Sequence, residues 1–69
     1  MNIKETVTHI IREAEYRYEG SVEDIINFLG KKIREYYRRA KGLFSFEAKR
    51  RNLIIAREIA RVREHIASK

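Results

Sequence analysis

Cysteine, proline, tryptophan and glutamine are all missing from this chain. Without Cys there is no disulfide, no thiolate nucleophile and no thiolate metal ligand. That fits a reducing interior, and a cytoplasmic location is expected. Without Pro, nothing locks φ or removes a backbone donor. Glycine is scarce too, confined to Gly20, Gly30 and Gly42. Helix interruption is therefore left to those positions, and an all-α chain is the direct expectation. Long apolar runs are absent as well: none approaches the ~20 residues of a membrane span. The N-terminus shows no signal-peptide hydrophobic region. A membrane partner is not expected.

What is present is charge. Of the 69 residues, 38% are Asp, Glu, Lys or Arg, with a net charge of +6. A chain of this length makes one domain, 1–69, with a small core, a size at which oligomerisation often helps. Ile is abundant, Met occurs only at position 1, and Asn only at 2, 27 and 52. High charge with few thermolabile side chains is the bias of hyperthermophile proteins.

Three helical stretches are legible. The first spans about residues 3–18. Asn2 can cap it with Glu5 as capping-box partner, and Ile3, Val7, Ile10, Ile11, Ala14 and Tyr18 repeat as one apolar stripe. Gly20 suits the left-handed residue that closes a helix. The second spans about residues 22–41. Ser21 and Asp24 form its box, and its stripe is Val22, Ile25, Ile26, Leu29, Ile33, Tyr36, Tyr37 and Ala40. Gly30 lies inside it at a cost of about 1 kcal/mol relative to Ala, which predicts close approach of a neighbouring helix. Gly42 ends it. Leu43 and Phe44 make the turn, and Ser45 caps a third helix over about residues 46–67.

That third helix carries two stripes. Ala48, Ile55, Ile59, Val62 and Ile66 form one; Phe46, Leu53, Ala56, Ala60 and Ala67 form another, about 130° away at 100° per residue. It should touch both other helices, or one of them and a second protein. Short turns make neighbours antiparallel, which predicts an up-down-up three-helix bundle. Helices of this length argue against a helix-turn-helix reader.

The basic character is concentrated in residues 31–51. Nine cations (Lys31, Lys32, Arg34, Arg38, Arg39, Lys41, Lys49, Arg50 and Arg51) stand there against Glu35 and Glu47, while residues 1–30 carry three bases against six acids. The nine are the candidate contacts to a DNA or RNA backbone. Lys49, Arg50 and Arg51 begin a helix, where the dipole favours acids, so local stability does not explain them. The other readings are an acidic protein partner or a solvated face with partial ion pairs. No base-reading element is evident, so low sequence specificity is expected.

Phe28, Tyr16 and Ile54 fall off the main stripes and are the candidate anchors for a protein partner. Tyr36 and Tyr37 follow the stripe and belong to the rim of the core. His9 and His65 lie on different helices without a metal-ligand spacing. There is no glycine-rich phosphate loop, nucleophile elbow or paired-carboxylate signature. No catalytic residue, metal or cofactor is expected.

With its basic residues 31–51, its hot-protein composition and the wide apolar face of its third helix, the chain resembles the small basic helical subunits bound to the crenarchaeal family B replicative DNA polymerase. The likeness covers the whole chain but includes no diagnostic motif, so it assigns no residue by position. It implies a non-catalytic accessory subunit that tethers or steadies a polymerase near its template channel. A protein-interaction adaptor or homodimer built on the third helix is the competing expectation.

Overall fold

The computed structural model describes residues 2–42 and 44–69. They form α1 (Ile3–Arg17), α2 (Val22–Gly42) and α3 (Phe46–Ala67), and no strand occurs among them. The chain is an all-α, up-down-up three-helix bundle. The expected helix limits hold to within a residue, because each start has its own chemistry. Asn2 Oδ1 accepts from the Glu5 amide at 2.8 Å, and Asn2 Nδ2 donates to Glu5 Oε1 at 3.1 Å. The Glu5 side chain thus steadies the cap through the Asn2 amide group. Ser21 Oγ accepts from the Asp24 amide and donates to Asp24 Oδ2. Ser45 Oγ accepts from the Ala48 amide. Each cap satisfies an amide that the helix leaves without a partner.

Gly20 has φ +81°, the left-handed geometry expected for it. The four residues Tyr18 to Ser21 then reverse the chain, with the Ser21 amide donating to the Tyr18 carbonyl at 2.9 Å. The second reversal includes Phe44 and Ser45; Leu43, expected in the same turn, lies outside the described residues.

The core is small, as the chain length requires. Val7, Ile10 and Ala14 of α1 meet Phe28 and Leu29 of α2 and Ile55 and Ile59 of α3. Leu29 and Ile59 are the largest side chains fully sealed from water. Ile3, Ile11, Tyr18, Ile25, Ile33, Tyr36 and Ile66 surround them half-buried. Helices α2 and α3 pack against each other along their length, whereas α1 touches each of them far less. The molecule is a rod of 39 × 19 × 18 Å. No described helix is long and apolar enough to cross a membrane.

Two expectations about exposed anchors change. Phe28 is only 8% exposed and belongs to the core. Its ring lies 5.7 Å from that of Tyr18, tilted by 53°. It sits about 100° off the main α2 stripe, on the flank that α1 covers, and cannot anchor a partner from there. Ile54 is half-buried rather than exposed. It borders an apolar groove between α1 and α3 with Ile3, Val7, Ile11 and Val62. Tyr16 is 88% exposed, as expected.

Candidate nucleic-acid interface

Six of the nine predicted backbone contacts, Lys31, Arg34, Arg38 and Lys41 on α2 and Lys49 and Arg50 on α3, are exposed to water. The reason begins with the helical period. Lys31, Arg34, Arg38 and Lys41 fall within about 80° of arc at 100° per residue, opposite the buried Leu29 and Ala40. All four are exposed. Lys31, Arg34 and Arg38 share one shallow depression with Glu35, whose carboxylate pairs with Lys32, and Arg34, Arg38 and Lys41 share the next with Tyr37. They make a continuous basic ridge about 15 Å long at 1.5 Å per residue. Among the described residues, no ion pair joins Lys31, Arg34, Arg38, Lys41, Lys49 or Arg50 to a carboxylate. Exposed Lys49, Arg50 and Arg51 follow at the start of α3.

The nine do not form one surface. Lys32 and Arg39 occupy the opposite flank of α2 and are engaged there. Lys32 Nζ lies 3.4 Å from Glu35 Oε2 and 5.4 Å from the centre of the Phe28 ring. The Arg39 guanidinium lies 4.8 Å from the centre of Tyr36. Both are held by aromatic faces, and Lys32 by a carboxylate as well, which ties their stems to the core rim.

Arg63 is the residue that periodicity does not single out. From α3 it reaches across to α2, where its Nε donates to the Ile26 carbonyl at 2.9 Å. That carbonyl lies one turn before Gly30, and it keeps a second lone pair beyond its helical bond. A methyl group at position 30 would stand 3.4 Å from Arg63 Nε. The close approach that Gly30 predicts is thus made by a guanidinium. A glycine within an otherwise well-formed helix was the available signal; its partner, 37 residues away, was not.

Arg63, Gly30, Lys31, Arg34, Asn27 and Asp24 border a depression of ≈ 400 Å³, whose far side is closed by Tyr18 and Phe28. Three cations face it against one carboxylate, and Asp24 is already bonded to the Ser21 hydroxyl.

The three candidate partner anchors share no surface. Tyr16 lies near the α1–α2 turn beside Glu15, Glu19 and Gly20, Ile54 lies in the α1–α3 groove, and Phe28 is internal. The apolar exposure that does exist is elsewhere. Phe46 is 77% exposed, and Leu53 and Tyr37 are 40% exposed. Phe46 and Leu53 belong to the second stripe of α3, of which only Ala56 is fully buried. No protein-family model matches the chain, and no curated protein or solved structure does.

Proposed function

We propose that this chain is a non-enzymatic module that holds the phosphate backbone of DNA or RNA. In this reading it serves as a small accessory subunit of a replication or DNA-processing assembly. The observation that carries it is the ridge Lys31, Arg34, Arg38 and Lys41, continued by Lys49 and Arg50, with no carboxylate paired to any of the six. Unpaired cations at one turn of spacing repel one another and stabilise nothing in the free protein. A polyanion relieves that repulsion and releases its own counterions. The ridge is built of long, flexible cationic side chains suited to phosphate oxygens, and low sequence specificity is expected of it.

Changing Lys31, Arg34, Arg38 and Lys41 together to Gln tests this. All four are exposed, and Gln is a good helix former, so the fold is expected to survive. Binding to mixed-sequence DNA at 50 mM salt, followed by fluorescence anisotropy, is expected to vanish. Unchanged affinity with an intact helical spectrum would overturn the reading.

A second reading, an interaction adaptor or homodimer, is favoured by one observation: Phe46, Leu53 and Tyr37 remain exposed on the helix pair that α1 covers only in part. Aromatic side chains on such a face are typical partner anchors. Here the basic ridge would meet an acidic protein. Molar mass measured over a hundredfold range of concentration decides the homodimer branch, which a constant monomer mass would remove.

A further inference from the structure

We infer that the depression over Gly30 is a seat for a single phosphate group, gripped by Arg63, Lys31 and Arg34. This rests on the backbone-binding reading and deepens it: one phosphate of the bound strand sits here, across the α2–α3 seam, while the ridge holds its neighbours.

The geometry supplies what such a seat needs. Arg63 is held before any ligand arrives, because Nε is fixed on the Ile26 carbonyl at 2.9 Å. The two terminal nitrogens keep their donors, in the planar fork that suits phosphate oxygens. The side chain is half-buried, so its charge is less screened than those on the ridge. Lys31 and Arg34 border the same depression from α2, and exposed Asn27 adds an amide donor at its border. The missing Gly30 side chain makes the room. The volume of ≈ 400 Å³ exceeds one phosphate, so the ester groups on either side are accommodated too. Asp24, at the end nearer the α2 start, disfavours an anion there and pushes the seat toward Lys31 and Arg34. The chemistry recognised is a phosphate group, whether a diester of a strand or the terminal group of a small phosphorylated molecule.

The test uses inorganic phosphate at constant ionic strength and, separately, single-stranded and duplex DNA. In the phosphate titration, the Arg63 Nε–H resonance is expected to move along a saturating curve. That of Arg57, about 120° around α3 at 100° per residue, should move little. Shifts that grow linearly, or equally at both arginines, would overturn the seat. In the DNA arm, Arg63→Gln is expected to lower the slope of log K against log salt by about one, and Arg57→Gln is expected to leave it unchanged. Helical spectra of both variants confirm folding, and the wild-type titration stands without any variant. The two proposals fail separately. Salt-sensitive DNA binding with no effect at Arg63 sinks the seat and leaves the backbone reading. Saturable phosphate at Arg63 with no DNA binding upholds the seat, identifies a small phosphorylated molecule as its source, and sinks the backbone reading.

Discussion

Gly30 concentrates the tension between stability and function at the scale of one residue. An exposed helix interior gives up about 1 kcal/mol by choosing Gly over Ala. Nothing in the packing forbids the methyl group: the nearest atoms, all on the Arg63 guanidinium, would lie 3.4 to 3.7 Å away, ordinary contact distances. Gly30→Ala is therefore expected to stabilise the fold by up to about 1 kcal/mol, or roughly 4–8 °C in a domain this small. Thermal unfolding by circular dichroism reads this directly. A lower Tm would mean that Arg63 must leave the Ile26 carbonyl to make room. Phe28 poses the opposite case. As a surface anchor its loss would leave the free protein untouched; as a core residue under Tyr18 it cannot be lost cheaply. Phe28→Ala is expected to cost about 3 kcal/mol or more, measured as a shift in the urea midpoint. A change below about 0.5 kcal/mol would be that of a surface position and would return Phe28 to the list of anchors.

The helices themselves are unequal as elements. α2 and α3 form a long hairpin, and α1, with 15 residues against 21 and 22, lies on one face of it. Local stability follows packing. The amides of α1 are expected to exchange hydrogen together, by opening away from the hairpin, at a lower free energy than those around Leu29 and Ile59. Native-state exchange in low denaturant measures this, and one common free energy for all three helices would refute it. This inequality also explains which parts of the structure were legible beforehand. Caps are local: Asn2, Ser21 and Ser45 announce each start within four residues, and Gly20 announces the first stop. The stripes announce which faces are buried. Neither says on which flank of α2 the first helix docks, and that single choice decides whether Phe28 is core or surface. The same limit hid the seat. Lys31 and Arg34 stood out by composition, but Arg63 looked like one more charge on α3 until the seam brought it to Gly30.

At the scale of the whole molecule the rod is electrically lopsided. Residues 13–24, around the α1–α2 turn, hold Glu13, Glu15, Glu19, Glu23 and Asp24 against Arg17, and the end of α3 packed beside them adds Glu64 against Arg61, Arg63 and Lys69. The far end holds Lys41, Lys49, Arg50 and Arg51 against Glu47. Such a molecule turns its basic end and ridge toward a polyanion and its acidic end away before contact. That orientation limits the footprint. Lys32 and Arg39 lie on the opposite flank of α2, and the ridge is straight, so the nine cations cannot all reach one strand. The number of phosphates neutralised should be about four or five, counting one at the seat and one each at Arg38, Lys41, Lys49 and Arg50. On duplex DNA the slope of log K against log salt is then expected between about −3.5 and −4.5, and on single strands near about −3. A titration from 50 to 300 mM salt separates the possibilities. A slope near about −8 would require all nine cations to engage, which needs the strand to wrap the rod. A flat line would leave the ridge no role in holding nucleic acid, and an acidic protein would become its natural partner. Neutralising Glu15 and Glu19 to Gln provides the independent check on orientation. These two acids border the surface around Tyr16 and Ile25, away from the ridge, so the change should speed association at low salt while leaving the slope where it is.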